Sequence, residues 1–330
     1  MNETERTKGI IKMKQTQRRK EIIPIFFAVD DIYVPFLTVA LRSLIDNSNK
    51  RYDYRIHVLI DKLNDENKTI LTSMQTENVS IEFVNVLGKL KALCEKLHLR
   101  DYYSKATYYR FFIPEMFPDY RRGVYLDCDI VLNTDVAHLY HAMLGRNLVA
   151  AVADEIITDI DVFACYSELV LGIPRQDYFN AGILVMNLAE MRRIHIEQLF
   201  ADLLERRAYR VAQDQDYLNV LCQGRVTYVN KYWNKTPMPD SDVSITPNIA
   251  HYKINFKPWR YDNVPYAEYF WKYAKNTPFY DQLVEIKANY SDEEKARDQA
   301  QYDGLVALAE QEIEDAVCEE ISLAFCAEAI

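Results

Sequence analysis

Gly123-Val124-Tyr125-Leu126-Asp127-Cys128-Asp129-Ile130-Val131-Leu132 is an apolar, β-prone run interrupted by two carboxylates. It reads as a buried strand whose edge releases Asp127 and Asp129. Alternation along a strand sends these two side chains to one side and Cys128 to the other, so both acids can converge on a single hard cation. Mg²⁺ or Mn²⁺ held by one or two carboxylates completes its shell with water and phosphate oxygens. A metal-bridged diphosphate is therefore the natural ligand, which points to a nucleotide-sugar enzyme. The carboxyl end of a core strand is also where open α/β sheets bind ligands. Ligand acids at such a rim are expected to add little to packing.

Upstream of this run, Ile22–Val29 reads as a first buried strand, and Phe36, Val39, Ala40, Ser43 and Leu44 follow at helical spacing. Tyr54–Ile60 and Val79–Val86 read as further strands, separated by a helix that starts near Asn64-Asp65. This β-α-β-α-β order predicts a mostly parallel sheet with helices on both faces. Ser104–Phe112 reads as a short helix and Leu148–Asp154 as a strand ending in an acid. Met191–Arg206 reads as one amphipathic helix, Asp214–Leu221 as a short one, and Val226–Val229 and Asn248–His251 as strands. Over residues 291–330, Leu305, Leu308, Ala309, Ile313, Val317, Ile321 and Leu323 outline an apolar stripe on an acidic helix. Docking on its own domain and on a partner are both open.

Composition narrows the function. The 330 residues are 49% hydrophobic, enough for a substantial core, and predict one main domain over 21–260 between a basic leader (1–20) and a C-terminal helical region (261–330). The net charge of −10 is divided among a basic leader with seven Lys/Arg, a nearly neutral body and an acidic tail, which leaves no basic footprint for nucleic acid. That leader lacks the apolar stretch of a signal peptide, so the expected location is the cytoplasm. A weak peripheral contact of the leader with the inner membrane face stays open. Six scattered cysteines without a Cys-x-x-Cys pair suggest neither disulfides nor zinc. The eight glycines never approach Gly-x-Gly, which removes the dinucleotide fingerprint and the Walker loop together.

Several motifs stand in a telling order: Ala28-Val29-Asp30-Asp31-x-Tyr33, Thr107-x-x-Arg110, Tyr125-Leu126-Asp127-Cys128-Asp129, Asp154, Phe179-Asn180-Ala181-Gly182, Asp214-Gln215-Asp216, and His251-Tyr252 with Lys257-Pro258-Trp259. From about Ile23 to Trp259 the chain resembles glycosyltransferase family 8, which contains bacterial lipopolysaccharide glucosyl- and galactosyltransferases and glycogenin. The resemblance implies a GT-A fold of the α/β class, with a Rossmann-like nucleotide-binding half, a mixed central sheet and here a C-terminal helical appendage. It also implies retaining transfer of glucose or galactose from UDP-glucose or UDP-galactose, with Mn²⁺ or Mg²⁺, to a saccharide, glycolipid or glycoprotein acceptor, as in cell-surface polysaccharide synthesis. Oligomeric state is left open.

The residue types suit those tasks. Asp30 and Tyr33 offer an acceptor and an aromatic plate for uracil, and Arg110 can neutralise a carboxylate or reach the donor. The resemblance makes His251 the third metal ligand beside Asp127 and Asp129, and Lys257 a charge on the diphosphate. It makes Gln215 the residue behind the anomeric carbon. Asn180, Ala181 and Gly182, with Asp154 and Asp214, complete the donor-sugar pocket, Asp154 and Asp214 are expected to serve catalysis with Gln215 and Lys257, and Ala28, Thr107 and Cys128 are expected to bind the donor. An amide is a poor nucleophile, so Gln215 favours same-face attack over a glycosyl-enzyme intermediate. Three residues past His251 the family usually has glycine. Ile254 stands there, and a β-branched residue is not expected to take a positive φ, which predicts a reshaped Lys257 loop. Self-glucosylation like that of glycogenin, a catalytically inactive UDP-sugar-binding module and a nucleotidyltransferase are the competing readings.

Overall fold

Strand β1 (Glu21–Ala28) sends Phe26 into one hydrophobic cluster and Ile25 and Phe27 into another, so its alternation builds a sheet buried on both faces. The structure is a computed structural model describing residues 20–90, 105–239 and 241–328. The basic leader, Lys20 apart, lies outside the described residues, as does Ser104. β1 pairs in parallel with β2 (Tyr52–Ile60) and β4 (Gly123–Leu126), and β2 pairs in parallel with β3 (Val79–Asn85). Helices α1 (Val34–Asp46) and α2 (Asp65–Ser73) are the crossovers, α2 capped by the Asn64 side chain on the Asn67 N–H.

Beyond β4 the sheet turns mixed. β7 (Ile183–Met186) runs antiparallel to β4 and to β6 (Val149–Ala151), and β6 pairs in parallel with β8 (Val226–Tyr228). The seven-stranded order is β3-β2-β1-β4-β7-β6-β8. A separate antiparallel pair joins β5 (Ile130–Leu132) to β9 (Ile249–His251), with Ile130 opposite His251.

Several sequence expectations change. Strand β6 is shorter than Leu148–Asp154, because Asp154 caps helix α3 (Glu155–Asp159) by accepting from the Ile156 N–H at 2.9 Å. Helix α4 (Asp161–Leu169) follows at once. Lys105–Phe111 is a 3₁₀ helix, whose three-residue turn brings Thr107 and Arg110 onto one face. Met191–Arg206 is two helices, α5 (Leu188–Arg193) and α6 (Ile196–Arg206), broken where His195 takes φ +56°. Arg192 donates to the carbonyls of Pro114, Phe117 and Tyr120, whereas Ile196, Phe200 and Leu204 of α6 enter the core, so each helix keeps its own direction.

Helix α7 (Asp214–Cys222) precedes the last two strands, β8 and β9. The chain then adds α8 (Ala267–Ala274), α9 (Tyr280–Ala288) and the long α10 (Asp292–Glu328). Phe36 and Val39 of α1 share a cluster with Trp259, Phe270, Tyr273 and Leu283. The docking choice left open for the acidic helix is decided in favour of its own domain: Ala309 is fully buried, Tyr302, Leu305, Val306, Leu308 and Ile313 pack beside it, and Tyr302 meets Phe163 of α4 edge to face. Val317 is exposed, and the side chains of Ile321 and Leu323 lie outside the described residues. Among the described residues Cys128, Cys165, Cys222 and Cys318 are free thiols. No helix among them is long and apolar enough to cross a membrane.

Candidate active site

Three strand ends meet at one place. β4 delivers Asp127, and because Leu126 pairs with Ile183, the N–H of Asp127 donates to the Gly182 carbonyl at 2.7 Å. The Ile130–His251 register brings His251 beside Asp129, whose carbonyl accepts from the Tyr252 N–H at 2.9 Å. Asp127, Cys128 and Asp129 lie in the bend between β4 and β5, not on a strand. The two acids nonetheless converge, and the Cys128 thiol turns away to the Ala28 carbonyl at 3.2 Å.

One ligand atom from each of Asp127, Asp129 and His251 lies within 4.8 Å of the others. His251 Nε2 is 3.3 Å from Asp129 Oδ1 and 3.7 Å from Asp127 Oδ2. Its orientation is fixed from behind. Asn180 Oδ1 accepts from the Gly182 N–H at 3.0 Å and from Asn234 Nδ2 at 2.8 Å, which turns Asn234 Oδ1 toward His251 Nδ1 at 2.8 Å. Nδ1 donates there, leaving the Nε2 lone pair to face the carboxylates, the arrangement that metal-ligating histidines favour. A Cβ on Gly182 would collide with Asp127 Oδ2 and the His251 ring, so the glycine keeps this space clear. An O,O,N set around space that no side chain can fill fits a divalent cation such as Mn²⁺ or Mg²⁺.

Lys257, 2% exposed, donates from Nζ to Asp129 Oδ2 and to the Tyr252 carbonyl, both at 2.6 Å. Burial alone would raise the Asp129 carboxyl, but the Lys257 ammonium outweighs it and holds it well below the usual carboxylate range. Asp129, itself partly exposed, thus anchors a buried ammonium, contrary to the expectation that rim acids add little to packing. Ile254 takes φ +58° despite its branch. The expectation that isoleucine would refuse this conformation is corrected, at a local strain of about 1–2 kcal/mol.

On the opposite wall Arg110 donates to the Thr107 carbonyl at 2.8 Å, to the Ala181 carbonyl, and to Asp127 Oδ1 at 3.2 Å. Its Nε lies 3.2 Å from Asp214 Oδ2, and its guanidinium sits 4.2 Å from the Tyr125 ring centre. Burial pushes the Asp214 carboxyl up to about 6 in spite of Arg110. Gln215 Oε1 accepts from Asn180 Nδ2 at 3.0 Å and the Ala181 N–H at 2.9 Å, and its Nε2 donates to Asp154 Oδ2 at 3.2 Å. Burial would raise Asp154 as well, but Lys253 at 2.7 Å and the Asn180 amide hold it below the ordinary range. Asp30 accepts from the Tyr33 N–H at 3.1 Å, and the Tyr33 ring meets Phe36 edge to face.

A cavity of about 200 Å³ is lined by every residue singled out from sequence for donor or metal: Ala28, Asp30, Tyr33, Thr107, Arg110, Asp127, Cys128, Asp129, Asp154, Asn180, Ala181, Gly182, Asp214, Gln215, His251 and Lys257. Lys253, the Asn234 tether and an apolar wall of Ile156, Ile157, Phe163 and Leu305 were missed. Lys253 had one signal, its place two residues beyond His251 on extended chain. Nothing near Asn234 in sequence marks it.

The mixed seven-stranded sheet with its helices is that of GT-A glycosyltransferases, and solved structures of such enzymes match it. WbbM, a bifunctional glycosyltransferase in its apo form, has a TM-score of 0.71 and 27% identity, covering 82% of this chain and 52% of that one. The galactosyltransferase LgtC in complex with donor and acceptor sugar analogues has a TM-score of 0.65 and 26% identity, covering 78% and 96%. The family model for glycosyl transferase family 8 matches residues 24–263, and the chain belongs to that family. The lipopolysaccharide 1,2-glucosyltransferase of Escherichia coli K12 is 23% identical over 297 residues, 82% of this chain and 85% of its own length.

Proposed function

We propose that the protein transfers glucose or galactose from UDP-glucose or UDP-galactose to a glycan, glycolipid or glycoprotein acceptor, with retention and with Mn²⁺ or Mg²⁺. The observation that carries this reading is the convergence of Asp127, Asp129 and His251 on one point kept open by Gly182. A cation held by these three residues would supply positive charge to the diphosphate of a bound donor.

The chain's own groups supply the rest. Asp30 and Tyr33 take uracil, while Arg110 and Thr107 hold the wall beside Asp127. Asp154, Asn180 and Asp214 face the sugar hydroxyls. Lys257 has three N–H donors and uses two on Asp129 and Tyr252, so the third is available to the departing diphosphate. Gln215 Oε1 already accepts two hydrogen bonds, which leaves no free lone pair for attack on carbon. This supports same-face attack by the acceptor as UDP leaves, with Gln215 shaping the pocket behind the reacting carbon.

The test is UDP release across a panel of UDP-sugars with and without EDTA, followed by proton NMR of the first-formed product. Expected are metal dependence and an α-linked product. Turnover that survives both EDTA and Asp129→Ala overturns the assignment, and a β-linked first product overturns retention.

A further inference from the structure

Helix α10 lies beyond the segment that the family model matches, yet it grips the loop that carries Lys257. Asn255 Nδ2 donates to the backbone carbonyl of Asp298 at 2.8 Å. The Asp298 carboxylate, 6% exposed, accepts from Arg260 Nη1 at 3.2 Å and from the hydroxyls of Tyr261 and Tyr290 at 3.0 and 2.6 Å. The same residues frame the Lys257 backbone. Its N–H donates to the Asn255 carbonyl at 2.8 Å, and its carbonyl accepts from the N–H groups of Arg260 and Tyr261 at 3.0 and 2.9 Å. Lys257 is therefore bracketed before and after by residues tied to one point on α10.

Just ahead of that bracket sits Ile254 at φ +58°, its side chain packed against the cluster that includes Phe163, Ala309 and Leu305. A β-branched residue stays in the left-handed region only where its surroundings over-determine it. Those surroundings include the docked helix, whose Ala309 belongs to the same cluster.

We propose that Asp298 is a positioning residue for the transfer reaction: by clamping α10 to Arg260, Tyr261 and Asn255 it keeps Ile254 in its left-handed conformation and aims the Lys257 ammonium at the donor diphosphate. This rests on the donor role given to Lys257 above. Asp298 touches neither metal ligands nor the pocket, so its effect reaches the site only through what it ties together, the Lys257 loop and helix α10.

The experiment uses the full chain and steady-state kinetics beside thermal melting. Asp298→Ala should lower kcat about 10- to 100-fold, the loss that a small misplacement of a reacting-site group produces. Adding Ile254→Gly should recover most of that kcat, because glycine adopts φ +58° unaided. It should not recover the melting temperature, because glycine adds nothing to helix docking. A purely structural Asp298 gives the opposite pattern, a lower melting temperature with kcat intact or a kcat that glycine does not rescue, and either result overturns the proposal. Should Asp298→Ala fail to fold, Asn255→Ala cuts the direct tie and leaves the carboxylate cluster. Loss of kcat with glycine rescue supports the proposal there, and unchanged kcat overturns it. A wild-type chain inactive with every UDP-sugar sinks the functional reading and this inference with it, whereas an active wild type with an indifferent Asp298→Ala sinks this inference alone.

Discussion

Asp127-Cys128-Asp129 and Asp214-Gln215-Asp216 share a spacing, and the backbone beneath each sends its carboxylates in different directions. The first triplet lies in an extended bend, so residues two apart fall on one side and converge with His251. The second opens helix α7, where residues two apart stand about 200° apart around the axis. Asp214 turns to Arg110 in the pocket, and Asp216 turns into a cage of the Tyr166 and Tyr178 hydroxyls at 2.9 and 2.7 Å and the Ala212 N–H at 2.8 Å. The charge environment divides the same way. Lys257 holds Asp129 well below the usual range, whereas burial pushes both Asp214 and Asp216 up to about 6. Of the two triplets, only the one that a third donor, His251, joins is arranged so that it could hold a cation.

The strongest way to break this contrast is Asp129→Ala. Turnover should fall by about 10³-fold or more. Because the substitution strands the buried Lys257 ammonium, unfolding in urea should also show a loss of about 3–5 kcal/mol. A second substitution, Lys257→Met, should return much of that stability and none of the activity. Urea midpoints that match wild type for Asp129→Ala alone would show that Asp129 does not anchor the buried ammonium.

Asp216→Asn tests the other triplet through pH. A carboxyl whose folded pKa is raised binds its proton more tightly in the native state, so its contribution to stability falls as pH rises from about 4 through about 6. The variant does not titrate there. Its stability relative to wild type should climb across that window by up to about 3 kcal/mol and then level off. Parallel curves of melting temperature against pH would mean that the hydrogen bonds of the cage cancel the effect of burial on Asp216.

The smallest effect sharpens the first triplet. Gly182→Ala places a methyl group against Asp127 and His251 and should weaken Mn²⁺ binding about 10- to 100-fold by calorimetry, with secondary structure intact by circular dichroism. Unchanged affinity would show that the open space beside Gly182 is not where the ion sits.

How far the sequence could be read follows from the range of each interaction. β1 to β3, α1 and α2 were legible because hydrophobic alternation and the Asn64 cap are local signals, and Asp127, Asp129 and His251 were legible because their motifs keep a fixed order. The break at His195 was not, since the apolar stripe continues across it and only the anchoring of Arg192 on three distant carbonyls shows that the two halves point apart. Asn234 became visible only when the β5–β9 pairing brought His251 within its reach. Ile254 misled because φ preference is a property of the residue, whereas the clamp that overrides it belongs to a helix more than forty residues further along the chain. Leu305 was noted as part of an apolar stripe, and its place in the pocket depended on where that helix docks.

The contribution of Leu305 to the pocket also sets a timetable for synthesis. The chain emerges amino end first, so Asp127 and Asp129 are exposed and able to fold long before the helix that completes their surroundings exists. At about 5–20 residues per second the interval between Asp129 and Leu305 is on the order of 10 to 30 s. From their own synthesis until that of the helix, the apolar side chains of Ile156, Ile157 and Phe163, which the finished molecule buries, lack the cover of Leu305. A nascent chain stalled after Lys257 and before α10 would present the assembled Asp127, Asp129 and His251 beside an open apolar flank.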